Sequence, residues 1–181
     1  METVLEGLVR ILSAKGIMQS KDAATLQREF ENHAAQYVED FLLEEGLVDK
    51  EQLLEALQEF YGVQAVDVLG AIFDHSLLKM FPKDVLLRTC CIPYYRDANI
   101  LFVIATNPTN DELDAKLREF VSYDIEFFVG LPRHIDMMIK DFYQDSLYRI
   151  DYEENIDRAA EDEEEERMED EHEREEREGL E

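Results

Sequence analysis

The N-terminal third of the sequence repeats itself once, and this repeat constrains the fold more than any other feature. Gly16-Ile17-Met18 and Glu29-Phe30 align without a gap, at a shift of thirty residues, with Gly46-Leu47-Val48 and Glu59-Phe60. Apolar residues at three- and four-residue spacing predict helices on both sides of each glycine. Glycine is favoured where a helix ends in a left-handed turn. Each copy therefore predicts a helix, a turn and a second helix, and the apolar faces must pack on each other or on a following domain.

The middle of the chain changes from helical to strand periodicity. Short apolar runs predict strands over four segments: Val63–Val68, Thr89–Tyr95, Asn99–Thr106 and Ile125–Val129. The second and third strands are close enough in sequence to form a hairpin. Helices are predicted over residues 74–80, 82–87 and 111–121, and from Pro132 onward. Strands mixed with short helices favour a small sheet with helices packed against it.

The predicted fold class is α+β, with three regions along the chain. We expect a helical repeat subdomain over residues 1–61, an α+β subdomain over residues 62–148, and an acidic tail over residues 149–181. From Asp151 to Glu181 the chain has 18 acidic residues and 4 arginines. Such composition predicts a disordered or partly helical segment. It is compatible with a tail that only aids solubility, and equally with one that binds a partner or masks the protein itself.

The net charge limits the possible partners. The whole chain carries −26, of which residues 1–150 carry −12. Phosphate backbones and anionic membranes are bound mainly by Lys and Arg, so we expect no nucleic-acid binding and no membrane binding. No apolar run reaches the roughly 18–20 residues of a membrane-spanning helix, and the N-terminus lacks the features of a signal peptide. The sequence therefore predicts a cytoplasmic protein without direct membrane insertion.

Catalytic and cofactor motifs are missing from the sequence. It contains no phosphate-binding G-x-x-x-x-G-K-[ST] loop, and its four histidines are scattered. Cys90 and Cys91 are adjacent without a second pair to complete a zinc site. Asp74-His75-Ser76 contains the residue types of a hydrolytic triad, but adjacent residues cannot converge as that mechanism requires. We expect this segment to cap a helix, and we expect no enzyme activity, no cofactor and no metal site.

Two aromatic pairs, Tyr94-Tyr95 and Phe127-Phe128, have the composition of a stacking platform. Because the chain is acidic and no Lys or Arg is interleaved with them, the sequence favours sheet and core positions for both pairs.

Four segments resemble a known family when taken in order. They are Phe41–Val48 with the following Leu53 and Glu55–Glu59, then Leu77–Pro82, Cys91–Tyr94 and Asn99–Asn110. Their order and spacing, over about residues 38–145, resemble the N-terminal domain of type II secretion and type IV pilus assembly ATPases, here without the motor. The resemblance implies docking on an inner-membrane component. In some pilus ATPases it also implies cyclic di-GMP binding through Arg-Leu-Gly, a later Gly and a terminal Gln.

The sequence departs from that binding pattern. Tyr37-Val38-Glu39 stands where Arg-Leu-Gly would, and Phe60 replaces the Gln; the first copy offers Gly7-Leu8-Val9 and Phe30. Tyr cannot replace the bidentate contacts of Arg with phosphate, and Glu39 adds negative charge. Cyclic di-GMP is therefore expected to be unlikely as a ligand.

The leading functional prediction is a non-catalytic adaptor. It would bind another protein, such as a component of a secretion, pilus or signalling assembly. The candidate partner-binding surface comprises Tyr37, Glu39, Glu44, Glu45 and Phe60. The alternative is a degenerate sensor that binds a nucleotide second messenger between the helical repeats.

Overall fold

Four helices form the N-terminal part of the protein. The structure is a computed structural model and describes residues 2–18 and 23–144. The first four helices are α1 (Val4–Ala14), α2 (Ala23–Glu31), α3 (Val38–Glu44) and α4 (Lys50–Tyr61). The predicted pair of helix–turn–helix copies is therefore confirmed. The acidic tail predicted over residues 149–181 lies outside the described residues.

The two copies end their first helices in the same way. Gly16 and Gly46 have φ values of +71° and +64°, the left-handed conformation that glycine adopts at least cost. In both copies the amide after the glycine donates to the carbonyl five residues earlier, as in Ile17 N to Leu12 O at 3.0 Å and Leu47 N to Leu42 O at 3.0 Å. This is a Schellman termination. In the second copy, Asp49 then caps α4, with Gln52 completing a capping box.

The second part of the chain contains short helices and three strands. Val68–Gly70 forms a single 3-10 turn, and residues 132–144 form the last described helix, α8. The remaining helices and strands are α5 (His75–Leu78), α6 (Lys83–Thr89), β1 (Cys91–Asp97), β2 (Ile100–Ala105), α7 (Asp111–Leu117) and β3 (Asp124–Val129). The predicted α+β class is confirmed.

The three strands form one mixed sheet in the order β1-β2-β3. β1 and β2 pair antiparallel as the predicted hairpin, with Asp97 opposite Ile100, and β2 and β3 pair parallel through the α7 crossover. Ala98, with φ of +48°, lies in the two-residue turn of the hairpin. A bulge interrupts the pairing between Pro93 and Tyr95.

The predicted strand Val63–Val68 is wrong. Only Ala65 makes a bridge, to Val129 of β3, and Val68 already belongs to the 3-10 turn. The physical reason is that the segment meets β3 only at the last residue of that strand: Val129 N donates to Gln64 O at 3.0 Å, and Val66 N donates to Val129 O at 2.9 Å. The Ala65 amide instead donates to Gln58 Oε1 of α4 at 3.1 Å.

The helical repeats and the sheet are packed within the compact unit Met1–Ile139. Leucines from α1, α3 and α4 share one buried cluster with Val129 at the end of β3 and Leu131 just beyond it. The boundary between the two predicted subdomains, after residue 61, stays a prediction.

Gly130 tests the packing at the end of β3. A Cβ atom there would lie 2.5 Å from Ile104 Cγ2 and 3.1 Å from Val68 Cγ2. We therefore expect Gly130→Ala to lower the free energy of unfolding by about 1–3 kcal/mol through overpacking, measured by urea denaturation followed by circular dichroism. Gly70→Ala is the matched control, because its new methyl group would meet only Asp67 Oδ2 at 3.9 Å. Equal stability of the two variants would contradict this packing.

Candidate functional site

The helices of the two copies are exchanged, so that the first helix of each copy contacts the second helix of the other, while α1 also contacts α2 of its own copy. α1 packs on α4, where the Phe60 ring occupies the space that a side chain at Gly7 would need. In the other pair, the rings of Phe30 in α2 and Phe41 in α3 lie 5.5 Å apart between centroids. The internal repeat of the sequence is therefore also a repeat of the packing.

Each exchanged pair borders a groove. The groove beside α1 and α4 has a volume of about 940 Å³, and the groove beside α2 and α3 about 460 Å³. Their linings correspond at the thirty-residue shift: Lys15 with Glu45, Thr25 with Glu55, Arg28 with Gln58, Glu29 with Glu59, Asn32 with Gly62 and His33 with Val63. The fold thus presents two grooves with corresponding positions and different chemistry.

The groove beside α1 and α4 is crossed by one cation. Lys15 Nζ lies 3.6 Å from Glu55 Oε2 and 3.4 Å from Glu59 Oε2. Both carboxylates are more than half exposed, so these pairs contribute little to stability. The Lys15 ammonium can therefore leave these two carboxylates and bind an anionic group of a ligand instead.

The smaller groove contains a histidine held between two acidic side chains. His33 Nδ1 accepts the Ala35 amide proton at 3.0 Å, which leaves the other ring nitrogen to donate. His33 Nε2 lies 3.3 Å from Glu45 Oε1, and its ring packs edge-on against Phe41 with centroids 5.2 Å apart. Glu44 lies on the same side of α3 and pairs with Arg133 of α8 at 2.9 Å. Of the predicted surface residues, the structure thus brings Glu44 and Glu45 together.

Tyr37 and Glu39 lie at the other end of α3, in a mostly buried cluster. Tyr37 is half-buried, and a hydrogen bond joins its hydroxyl to the Cys90 thiol; burial, and then the nearby Cys90, raise the pKa of Tyr37 to about 12. Asp40 accepts a hydrogen bond from the backbone amide of Arg133, at the first turn of α8. These contacts fix the start of α3 against the sheet subdomain.

Glu39 is 4% exposed and is the one charged residue among the described residues that is fully buried. Burial raises the pKa of Glu39 to about 7, although its own backbone amide opposes the shift by donating a hydrogen bond. Its charge also contributes to the raised pKa of Tyr61, about 12, which is due first to burial. Glu39 therefore contributes nothing to an exposed surface.

Phe60 is half-buried and packs edge-on against Tyr61, with ring centroids 4.8 Å apart. It lies on the α1–α4 pair, whereas Tyr37 lies at the start of α3. The predicted surface residues are thus spread over three environments, and their role in partner binding stays a prediction.

The remaining candidate residues have structural partners. Asp74 Oδ1 accepts the Ser76 amide and hydroxyl protons at 3.0 and 2.6 Å, which confirms the predicted helix cap. Burial raises the pKa of the Cys91 thiol to about 12 and also raises the pKa of Cys90. Both thiols are therefore protonated near neutral pH and are poor nucleophiles.

Sequence reasoning missed Arg28, Asn32 and His33 as groove residues. They precede both the second copy and the first of the quoted family segments. The sequence does contain a signal for these three residues. It is the thirty-residue shift applied to the C-terminal ends of α2 and α4, and not only to the glycines.

Within the described residues, none of the helices combines the length and the apolar character needed to cross a membrane.

Glu39 predicts a pH dependence of stability. A carboxyl group whose pKa is higher in the folded state stabilises the fold below its unfolded pKa of about 4.3. This contribution is lost as the pH rises through about 7. Glu39→Gln should therefore raise the free energy of unfolding at pH 8 by about 2–3 kcal/mol relative to the unmodified protein, and change it little at pH 4.5. Urea denaturation at both pH values is the measurement. The exposed Glu112→Gln is the control, and an equal effect of both substitutions at pH 8 would contradict the burial of Glu39.

Comparison with known proteins identifies the second part of the chain. A model of the MshEN domain family matches residues 61–148. Over 102 residues the chain is 26% identical to the type IV pilus assembly ATPase PilB of Myxococcus xanthus (strain DK1622), an alignment that covers 56% of this chain. The chain spans only 18% of the length of that ATPase.

Two solved structures share the fold. MshE with cdg (cyclic di-GMP) superposes with a TM-score of 0.59 at 19% identity, covering 75% of this chain and 98% of that one. The N-terminal domain of XpsE superposes with a TM-score of 0.54 at 18% identity, covering 77% of this chain and 96% of that one.

The expectation that cyclic di-GMP is unlikely as a ligand is wrong, because a protein of this fold, MshE, has been solved with it. The sequence argument depended on single missing side chains, at Tyr37, Glu39 and Phe60. It took no account of the grooves, whose own hydrogen-bond donors include Arg28 and Gln58. Residues 61–148 match the MshEN domain family, and the chain is similar to the N-terminal domains of type II secretion and type IV pilus assembly ATPases.

Proposed function

We propose that the chain is a regulatory module that binds a cyclic dinucleotide, cyclic di-GMP first among them, at its helical repeats. The observation that carries the proposal is the pair of grooves related by the internal repeat, in a fold shared with MshE, which has been solved with that ligand. Cyclic di-GMP is itself two-fold symmetric, with two guanines and two phosphates. A pseudo-symmetric pair of helical copies matches a ligand of that symmetry.

The groove side chains fit the chemistry of the ligand. Arg28 offers a planar fork of donors that matches a phosphate, and Lys15 offers a point charge in the other groove. The carboxylates of Glu29 and Glu59, which correspond in the repeat, can accept hydrogen bonds from the N1–H and N2–H₂ donors of guanine. In this arrangement the acidic residues of the grooves accept hydrogen bonds from the guanines, although they repel the phosphates. The cations, Arg28 and Lys15, face the phosphates.

The proposal includes a non-catalytic role in the cytoplasm, where this messenger acts. Its support is chemical: Cys90 and Cys91 are buried with raised pKa values, and Asp74 is committed to capping α5. The candidate residues Cys90, Cys91 and Asp74 thus serve the fold.

Arg28 tests the ligand proposal. Arg28→Ala should weaken cyclic di-GMP binding about tenfold or more, because a charge-assisted contact with phosphate is lost. Isothermal titration calorimetry on the full chain is the measurement, with cyclic di-AMP as a second ligand to test the role of Glu29 and Glu59 in guanine selection. Lys79→Ala is the matched control, since Lys79 is exposed beyond α5 and outside both grooves.

Two results would contradict the proposal. One is the absence of binding heat and of a thermal shift at high micromolar cyclic di-GMP with the unmodified chain. The other is an equal loss of affinity in the Arg28 and Lys79 variants, which would show a dependence on total charge alone.

A regulatory module also needs a protein to act on. The adaptor prediction supplies it: Glu44 and Glu45 are exposed at the end of α3, Glu45 lines the smaller groove, and both are candidates for contact with a secretion or pilus component. Such a component should co-purify with the full chain in an amount that changes when cyclic di-GMP is added. Co-purification that is unchanged by ligand and by Glu45→Lys would exclude this surface.

A further inference from the structure

A row of aromatic rings lies across one face of the sheet. Tyr95 of β1 stacks on Phe102 of β2 with centroids 4.5 Å apart and planes at 18°, and Phe102 stacks on Phe128 of β3 at 5.4 Å and 18°. Tyr95 is 38% exposed, and Phe102 and Phe128 are half-buried. We name these three residues the aromatic row. Rings stacked nearly parallel and open to solvent form a flat surface rather than a core contact.

The bulge in β1 adds a second tyrosine to this face. Strand alternation would place Tyr94 and Tyr95 on opposite faces, but the pairing shifts between Pro93 and Tyr95, so Tyr94 is the extra residue. The Tyr94 and Tyr95 rings lie 6.2 and 6.4 Å from the same Phe128 ring. Bulges often redirect a side chain next to a functional site.

A groove continues from the row. It has a volume of about 380 Å³, and Tyr94, Tyr95 and Phe128 line it together with the small residues Gly70 and Ala71. The row is therefore the wall of a concave surface that a side chain could enter.

Acidic side chains form the other margin of this face. Paired residues point to the same side of a sheet. Glu126 is paired with Phe102. Two residues further along the strands, Ile100 is paired with Asp97 on one side and with Asp124 on the other. All three carboxylates are exposed. The aromatic row thus lies between an open groove and a carboxylate edge.

We propose that the aromatic row and its acidic margin bind an arginine-rich segment of a partner protein. A guanidinium stacks on aromatic rings and pairs with carboxylates at the same time, and lysine does this less well because it lacks the planar group. The acidic margin disfavours nucleic acid, although stacked rings are the platform that single strands use. The tail of this chain is also excluded by charge, with 18 acids and 4 arginines from Asp151 onward. This site lies on the sheet, and its groove shares only Gln64 with the lining of the groove beside α1 and α4.

The test separates stacking from simple charge attraction, because the acidic tail will attract any cationic peptide. Two short peptides are titrated into the full chain, one with three arginines separated by glycines and one with lysines at the same positions. Binding is followed by two-dimensional NMR of the labelled protein, including aromatic ring signals. The arginine peptide should bind about threefold tighter than the lysine peptide and should shift the ring signals of the aromatic row.

Two variants complete the experiment. Tyr95→Ala, at an exposed position, should abolish the preference for arginine, and Glu126→Lys should weaken both peptides. Glu112→Lys on α7 is the control for charge and should preserve the arginine preference. Equal affinities for the two peptides, or signal shifts confined to residues 145–181, would overturn the proposal. Tighter binding of a single-stranded oligonucleotide than of the arginine peptide would also overturn it.

Discussion

The structure depends on apolar helix faces that neither copy of the repeat can bury alone. A helix–turn–helix unit of about thirty residues has too little interior for a core of its own. The solution is exchange: α1 packs on α4, and α2 contacts α3 through Phe30 and Phe41. The same apolar cluster extends to Val129 and Leu131 at the end of β3. The grooves, the buried start of α3 and the placement of the sheet all follow from this shared core.

The exchange also explains why two similar sequences produce two different grooves. Lys15 and Glu45 occupy corresponding positions, as do Arg28 and Gln58. The two grooves therefore carry opposite charges at one position, and a charged and a neutral side chain at the other. The Phe60 ring fills the space above Gly7, where the first copy has no side chain. At the corresponding place in the second copy, Tyr37 is directed to Cys90 instead. The pseudo-symmetry of the backbone is retained, whereas the chemistry of its two halves has diverged.

Electrostatics distinguishes the two ends of α3. At its start, Glu39 is withdrawn from water, and burial raises its pKa to about 7, near the physiological range. At its end, Glu44 and Glu45 are exposed and pair with Arg133 and His33, contacts that solvent screens. The buried end therefore affects stability, and the exposed end is available to ligands or partners. A sequence pattern alone gives all three glutamates the same charge.

Local signals in the sequence determined most of the secondary structure. The glycines at 16 and 46, the cap at Asp49, the cap at Asp74 and the hairpin around Ala98 each act within a few residues, so the sequence contains the whole interaction. The thirty-residue repeat likewise specified two helical copies. Tertiary structure alone decided the exchange of helices, the burial of Glu39 and the replacement of a strand at Val63–Val68 by one bridge. It also decided that the bulge in β1 places the Tyr94 and Tyr95 rings beside the same ring, that of Phe128. These features depend on contacts between residues far apart in the chain, and a single sequence does not record which distant surfaces meet.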